Sequence, residues 1–233
     1  MTRTDDTPAR TRPEGSDPQR LALVTGASRG LGFALARELG ANGWHVLAVA
    51  RTTGGLEELD DAIQRAGGNA TLAPLDITDD GAMTHLAQSI HDRWGALDLW
   101  VHAAIHAAPL SPAGHLDPKD FDRSVACNLR ATAGLIVRLE GLLRRAEGSA
   151  LFLDDPRAGE PFFGAYGATK GAQIALARSW QAENTRIGPH VAIETPKPLP
   201  TATRARFFPG EDREKLADVR AEARRILTAQ GLI

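Results

Sequence analysis

The sequence contains few of the residues that would build a disulfide framework, a zinc cluster or a membrane span. Its single cysteine, Cys127, excludes disulfides within the chain and any zinc site made of several cysteines. No uninterrupted apolar run reaches the roughly 18 residues that a membrane-spanning helix needs. Neither sign of charge dominates, because 27 Lys and Arg residues face 29 Asp and Glu residues, for a net charge of -2. A balance this even excludes nucleic-acid binding by bulk electrostatics, so we expect a cytoplasmic protein without nucleic-acid or membrane partners.

Aromatic side chains are also scarce. They make up 5% of the 233 residues, so the core must be built from Ala, Leu, Val and Ile. Residues 1–19 contain almost no apolar side chains, and they lack both the apolar stretch of a secretory signal and the acid-poor composition of a transit peptide. We therefore expect a disordered tail over residues 1–19 and a single domain over residues 20–233.

Apolar runs of strand length alternate with amphipathic segments from Leu21 onward. The predicted strands are residues 21–25, 45–50, 71–75, 97–104, 150–153 and 190–194. Leu31, Leu35 and Leu39 recur on one face of the first predicted helix, and the later helices are predicted at residues 56–66, 79–94, 117–145, 165–187 and 212–230. This alternation predicts an α/β protein with one Rossmann-type, doubly wound parallel sheet of about six strands and helices on both faces.

A glycine-rich segment, residues 24–32, lies where the first predicted strand turns into the first predicted helix. Gly26 and Gly30 let backbone N–H groups approach a pyrophosphate, which the positive N-terminus of the helix also attracts. In a doubly wound sheet this turn faces the carboxyl ends of the strands, where ligands bind. Ser28, Arg29 and Leu31 lie in the same turn, and we predict that they bind the cofactor together with the glycines.

Two spaced motifs stand out in the predicted domain, one near its start and one in its later part. The first is Thr-Gly-x-x-x-Gly-x-Gly at residues 25–32, and the second is Tyr-x-x-x-Lys at residues 166–170. Between and after them come an acid behind the third predicted strand, an asparagine in the long helix and a threonine five residues after a proline, namely Asp76, Asn128 and Thr201. With these motifs in this order, the chain resembles the short-chain dehydrogenase/reductase family over residues 21–210.

The resemblance implies an oxidoreductase with a nicotinamide cofactor, and it implies a role for each matched residue. Tyr166 exchanges the proton at the reacting atom, and Lys170 holds the nicotinamide ribose hydroxyls. Asn128 holds a water that relays protons to Lys170. The remaining implied cofactor contacts, to the adenine and the carboxamide, are Asp76, Ile77 and Thr201.

The end of the second predicted strand bears on which nicotinamide cofactor is used. An acid there would bind the ribose 2′-hydroxyl of NAD and repel the 2′-phosphate of NADP. The strand instead ends in Val-Ala-Arg-Thr at residues 49–52. Arg51 and Arg29 both suit the geometry of a phosphate, so we expect NADP(H) rather than NAD(H).

The spacing of Tyr166 and Lys170 bears on the proton chemistry. Residues four apart lie on one face of a helix. A free tyrosine has a pKa of about 10, and a neighbouring ammonium favours the phenolate. We therefore expect Lys170 to lower the pKa of Tyr166 toward neutral pH. The alternative is a Tyr/Lys pair on a solvated helix face.

The predicted fifth strand departs from the family, which carries its catalytic serine after this strand. Here the strand is followed by Asp154 and Asp155, and Ser149 lies before it. One of the two aspartates, by our first choice Asp154, is expected to contact the substrate in place of the serine. A carboxylate repels a growing oxyanion and favours cations or N–H donors, so a C=N substrate is a hypothesis. Pterin reductases of this family are similar in carrying Asp at this position.

Further departures leave two interpretations open. His102 replaces an asparagine that braces the sheet, and Ile105 replaces a glycine, which could narrow the cofactor cleft. The leading interpretation is a reductase acting on a C=O or C=N bond, and the alternative is a non-catalytic relative that serves as a binding or scaffold protein. The histidines lack the neighbours of a metal site, so we predict no metal.

The C-terminal segment is the last departure. Relatives end in a seventh strand that tetramers use, whereas residues 212–230 read as a charged amphipathic helix. We therefore expect a homodimer rather than a tetramer, formed through the helices around Asn128 and after Tyr166.

Overall fold

Six parallel strands form one sheet in this protein, whose structure is a computed structural model that describes residues 19–233. The strands are β1 (Leu21–Thr25), β2 (His45–Ala50), β3 (Asn69–Pro74), β4 (Leu99–His102), β5 (Ser149–Leu153) and β6 (His190–Glu194). Their order is β3-β2-β1-β4-β5-β6, so the direction of winding reverses between β1 and β4. The predicted doubly wound sheet is thereby confirmed. The predicted tail falls, apart from Gln19, outside the described residues.

Eight α-helices connect and follow the strands in the described residues. They are α1 (Gly30–Ala41), α2 (Thr53–Gln64), α3 (Asp80–Trp94), α4 (Pro118–Ser124), α5 (Ala131–Arg145), α6 (Gly164–Glu183), α7 (Ala202–Phe207) and α8 (Val219–Ala229). Local sequence sets several of the ends. The side chain of Asp79 accepts from Ala82 N and caps α3, which ends at Gly95 with a φ of 75°. In the described chain, none of the helices combines the length and the apolar run required to cross a membrane.

The core consists of two apolar layers, one on each face of the sheet. Alternate residues of β1 point to opposite layers, Leu21 and Leu23 to one and Ala22 and Val24 to the other, as the pleat of a strand requires. Helices α3, α5 and α6 cover the first face, and α1, α2 and α8 cover the second. Since both faces are covered, the polar groups that remain for function are gathered at the carboxyl ends of the strands.

The long helical stretch predicted at residues 117–145 is interrupted by a π-helical turn, Val125–Arg130, between α4 and α5. Asn128 lies in this turn and is fully buried. A π-helical turn changes which backbone carbonyls the helix uses, and such turns are frequent at functional sites.

The single helix predicted at residues 212–230 is wrong. The chain forms a short 3-10 turn, Arg213–Lys215, leaves helical geometry, and begins α8 only at Val219. Ala217 N donates to Pro198 O at 3.0 Å, and the Asp218 side chain then caps the new helix by accepting from Ala221 N. Helix α8 packs on α1, where the fully buried Glu38 accepts hydrogen bonds from two arginines of α8, Arg220 and Arg224.

Candidate active site

A cavity of about 950 Å³ opens at the carboxyl ends of the strands. It lies beside the point where the winding reverses, which is the usual ligand site of such sheets. Asn128 is buried behind the cavity wall rather than on it. The sequence-predicted site residues on the wall are Gly26, Ser28, Arg29, Gly30, Leu31, Arg51, Asp76, Ile77, Asp154, Asp155, Tyr166, Lys170 and Thr201.

The glycine-rich turn forms one end of the cavity. Gly26 has a φ of 77°, and a Cβ atom there would lie 2.6 Å from Ala104 N, so only glycine fits. Gly30 also has a positive φ, 60°, and its neighbour Arg29 caps α1 without a side-chain hydrogen bond. The first N–H groups of α1 thus lack a side-chain cap, and they adjoin the cavity. A pyrophosphate fits this arrangement.

Arginine side chains lie around the end of β2. Arg51 and Arg29 are exposed at the rim of the cavity. Arg51 Nη1 is 3.8 Å from Asp76 Oδ2, a loose and largely solvated ion pair. Because the other carboxylate oxygen of Asp76 accepts from the N–H and hydroxyl of Thr78, its orientation is held by the turn after β3.

Tyr166 lies in the first turns of α6 and is 4% exposed. Its hydroxyl donates a hydrogen bond to Asp155 Oδ2 at 3.0 Å. Asp155 Oδ1 in turn accepts from Arg157 Nε at 3.1 Å. The first choice, Asp154, is held differently: its N–H donates to Glu194 O, and its carboxylate lies 3.8 Å from Arg178. Asp155 is therefore the aspartate that contacts the tyrosine hydroxyl.

The expected lowering of the pKa of Tyr166 is wrong for this structure. Burial raises the pKa of the phenol above its usual value of 10, and the charge of Asp155 and the hydrogen bond to it raise the pKa further. The phenol is therefore protonated at neutral pH.

The ammonium of Lys170 is buried and donates to the side-chain oxygen of Gln173 at 2.6 Å. Burial lowers the pKa of Lys170 to about 8, against the charges of Asp154 and Asp155, which raise it. Its ammonium is thus bound by an amide one turn further along α6, and it remains the prevailing form at neutral pH.

The side chain of Asn128 ties the loop after β4 to α6. Its Oδ1 accepts from His106 N at 2.7 Å, and its Nδ2 donates to His106 O at 3.0 Å and to the hydroxyl of Thr169 at 2.9 Å. Its backbone carbonyl accepts from Gln173 Nε2 and from the hydroxyl of Thr132. All the polar groups of this side chain are therefore engaged by protein atoms.

His102, at the end of β4, joins this network from below. Its ring nitrogens lie 2.8 Å from the hydroxyl of Thr25 and 2.9 Å from that of Thr132. Burial lowers the pKa of His102 to about 3, and the charge of Lys170 acts in the same direction. A neutral imidazole that links two threonines is a brace between strand and helix. Among residues 19–233, no three His, Cys, Asp or Glu side chains are grouped as a metal site.

Aromatic side chains enclose the cavity beside Tyr166. The Phe207 ring on α7 lies 4.8 Å from the Tyr166 ring and 5.0 Å from the Phe163 ring, between centroids. Arg157 lies over Phe163 and Phe208, with its Cζ 5.6 and 5.4 Å from their centroids. Ile105 packs against the same aromatic cluster. The cavity beside Tyr166 is therefore lined by apolar rings together with the cations Arg157 and Arg204.

Sequence reasoning missed two residues of this site, Arg157 and Gln173. Gln173 had a detectable signal, since it falls on the helical stripe of Tyr166 and Lys170 at a spacing of 7 and 3 residues. A buried polar residue on such a stripe needs a partner. Arg157 lies in a loop without periodicity, so no pattern marked it.

The fold and the site define a dinucleotide-binding α/β protein with a tyrosine and a lysine beside the nucleotide cavity. The family model for short chain dehydrogenases matches residues 20–212. The chain therefore belongs to the short chain dehydrogenase family, whose members are oxidoreductases that bind nicotinamide cofactors.

Similar proteins of known name include two curated relatives and a solved structure. A fatty acyl-CoA reductase of Acinetobacter baylyi is 33% identical over 70% of this chain and 57% of the relative. A fatty acyl-CoA reductase of Mycobacterium tuberculosis is 30% identical over 77% of this chain and 65% of the relative. The chain thus spans less than two thirds of their lengths. A Shigella flexneri structure in complex with NADP has a TM-score of 0.80 and 28% identity, covering 86% of each chain.

Proposed function

We propose that this protein is an NADP(H)-dependent reductase of C=O or C=N bonds in which Tyr166 is the general acid. The observation that carries the proposal is the position of the Tyr166 phenol and the Lys170 ammonium on the same cavity as the glycine-rich turn. A tyrosine and a lysine on a solvated helix face would not be buried, whereas these are 4% and 5% exposed.

The cavity residues fit NADPH, which supplies a hydride when bound. The backbone of Gly26, Ser28, Gly30 and Leu31 would hold the pyrophosphate, because the open turn and the N-terminus of α1 favour an anion. We propose that the 2′-phosphate contacts Arg29 and Arg51 at the rim of the cavity. The adenine would contact Asp76 and Ile77 in the turn after β3, and the carboxamide would contact Thr201 in the loop after β6. The NADP complex of the Shigella flexneri protein supports this cofactor.

Tyr166 is suited to donate a proton rather than to accept one. Its phenol is protonated at neutral pH, since burial and Asp155 raise its pKa. Reduction needs the protonated phenol, and alcohol oxidation needs the phenolate, so this environment favours the reductive direction. Lys170 would hold the ribose hydroxyls with its ammonium, and Asn128 would fix the loop that forms the floor of the cavity.

Asp155 is proposed to take the place of the family's serine and to contact the substrate. The Tyr166 hydroxyl donates to its carboxylate, so a substrate must offer a donor of its own to that carboxylate before the phenol can turn to the reacting atom. A heterocycle that carries an N–H group beside its neutral C=N bond, such as a pterin, provides such a donor and leaves the C=N nitrogen to take the proton of the phenol. A C=N substrate therefore satisfies both groups.

A carbonyl substrate is the second candidate, and Arg157 is the observation that favours it. Its guanidinium pairs with Asp155 and with Glu160, which offsets the carboxylate charge beside a growing oxyanion. The apolar wall of Ile105, Phe207 and Phe208 suits an aliphatic chain. The two curated relatives named fatty acyl-CoA reductases are consistent with such a substrate.

The first test is a titration of the purified protein with NADPH, in which the change in tryptophan fluorescence measures binding. We expect saturable binding at submillimolar NADPH and weaker binding of NADH. NADPH oxidation is then measured with imines, dihydropterins, aldehydes and acyl thioesters. Binding without turnover on any of these classes would favour the non-catalytic scaffold, and no binding at all would overturn both interpretations.

We also propose a homodimer formed through α5 and α6. Val137, an exposed apolar side chain on α5, is available to such an interface. Sedimentation velocity distinguishes a dimer from a monomer or a tetramer.

A further inference from the structure

Gln173 is a buried polar residue that connects Lys170 to the π-helical turn. It is 1% exposed and lies one turn after Lys170 on α6. Its Oε1 accepts from Lys170 Nζ at 2.6 Å. Its Nε2 donates to the backbone carbonyl of Asn128 at 3.0 Å and to the hydroxyl of Thr132 at 2.9 Å.

The chemistry of the partners fixes the orientation of this amide. An ammonium only donates, so the oxygen of Gln173 must face Lys170. A backbone carbonyl only accepts, so the NH₂ group must face Asn128. Both amide hydrogens are used, and the flipped amide would oppose donor to donor and acceptor to acceptor.

The acceptor of this amide is itself held in place. The hydroxyl of Thr132 donates to the Asn128 carbonyl at 2.9 Å, and it lies 2.9 Å from a ring nitrogen of the neutral His102. The Thr25 hydroxyl lies 2.8 Å from the other ring nitrogen. A buried chain of hydrogen bonds thus runs from β1 through β4 and α5 to the ammonium of Lys170, and Gln173 is its last member.

We propose that Gln173 is a positioning residue for the reaction. Its amide links the Lys170 ammonium to the Asn128 carbonyl, in the place where the family resemblance implies a water. The inference rests on the proposed function, in which Lys170 holds the cofactor ribose. A carboxamide accepts from an ammonium but does not pass on a proton near neutral pH. This connection therefore holds the charge of Lys170 in place and does not relay protons.

The groups around Lys170 determine how it titrates. Asp154 and Asp155 face it from the end of β5 and favour the ammonium. His102 faces it from β4 and is neutral, and Tyr166 precedes it by one turn on α6. Gln173 is the group that accepts a hydrogen bond from its Nζ. Removal of this acceptor should therefore lower the pH at which Lys170 loses its proton.

The test is an NMR titration of the lysine side chains. The chain has four lysines, Lys119, Lys170, Lys197 and Lys215, so a ¹³C-lysine-labelled sample gives few signals, and a Lys170→Arg sample assigns the one of interest. In Gln173→Leu we expect the Lys170 titration to move down by about one to two pH units, as for the loss of a hydrogen bond to a charged group. Gln173→Glu should move it up.

The matched control is Gln181→Leu on the same helix, whose amide donates to Val191 O and not to Lys170. It should leave the titration unchanged. A titration in Gln173→Leu that coincides with the wild type would overturn the proposal. If Gln173→Leu does not fold, Gln173→Glu takes its place. A Lys170 titration in Gln173→Glu at or below the wild-type pH would then overturn the proposal.

The same variants then separate positioning from a purely structural role. With the substrate identified by the screen, the alkaline limb of the kcat/KM profile should move with the Lys170 titration, down in Gln173→Leu and up in Gln173→Glu. A uniform loss of rate without a shifted limb contradicts positioning. The NMR titration needs neither NADPH nor substrate, so an inactive protein would overturn the proposed function without affecting that result.

Discussion

The buried ammonium of Lys170 should make the stability of the protein depend on pH in a measurable way. Burial lowers the pKa of Lys170 from 10.5 to about 8 in the folded protein, while the unfolded chain keeps the ordinary value. Below pH 8 both states bind the proton and the folded state carries the full penalty of burying a charge. As the pH rises from 8 to 10.5, the folded state has released the proton and the unfolded state has not, so stability rises.

The size of this effect follows from the shift. A lowering from 10.5 to about 8 corresponds to about 3 kcal/mol of penalty at neutral pH, since one pKa unit is about 1.4 kcal/mol. Integration of the linkage relation gives a rise in stability of about 1 kcal/mol between about pH 7 and about pH 9. Lys170→Met keeps the length of the side chain and removes the charge, so this rise should disappear.

Urea unfolding at the two pH values measures it. The unfolding free energy of Lys170→Met minus that of the wild type should fall by about 1 kcal/mol from about pH 7 to about pH 9, because only the wild type gains stability. The difference at a single pH also contains the loss of the hydrogen bond to Gln173, so only its change with pH is compared. Lys119→Met, at an exposed lysine on α4, should show no such change. A difference that stays constant with pH would refute the burial of a charged Lys170.

Three further predictions concern the cofactor, the substrate and the fold. Arg51→Ala should weaken NADPH binding about 10-fold or more and leave NADH binding unchanged, because it removes a charge-assisted contact to the 2′-phosphate. Parallel fluorescence titrations with the two cofactors measure this, and equal losses of affinity for both would contradict it. Asp155→Asn should raise the ratio of kcat/KM on carbonyl substrates to kcat/KM on C=N substrates by about 10-fold, since the charge that repels an oxyanion is removed. Asp154→Asn should change this ratio less. An unchanged ratio in Asp155→Asn would argue against the role of the carboxylate. Glu38→Gln should destabilise the protein by about 2–3 kcal/mol in urea unfolding at neutral pH, because it breaks the ion pairs of a buried carboxylate. Burial acts to raise the pKa of Glu38, but hydrogen bonds from Arg224 and Arg220 outweigh it and lower the pKa below 4.5. This contribution to stability is therefore present above about pH 4.5 and is lost as the pH falls through the folded pKa. A variant as stable as the wild type at neutral pH would contradict the prediction.

The sheet and the glycine-rich turn could be predicted because their signals are local. A strand, a turn and a helix follow one another within residues 21–41. The turn that requires the positive φ of Gly26 lies between the apolar run of the strand and the apolar face of the helix, and both are visible in the sequence. The arginine at the end of β2 and the face shared by Tyr166 and Lys170 follow from spacing alone.

The electrostatics of the site could not be predicted, because they depend on contacts between distant segments. The pKa of Tyr166 is set by burial and by Asp155, which the strand β5 brings to it, and Lys170 binds Gln173 instead of turning to the phenol. The two acceptors of the Gln173 NH₂ group lie 41 and 45 residues earlier in the chain. The break before α8 likewise depends on a hydrogen bond from Ala217 to Pro198, on another segment.

In the proposed function, Tyr166 delivers the proton in a reduction by NADPH. The most direct measurement is a single-turnover experiment with Tyr166→Phe, in which NADPH oxidation is followed with the substrate identified by the screen. A general acid contributes about 100-fold or more to the rate, so we expect a loss of at least that size with the NADPH dissociation constant unchanged. A variant that binds NADPH and turns over at the wild-type rate would contradict the account.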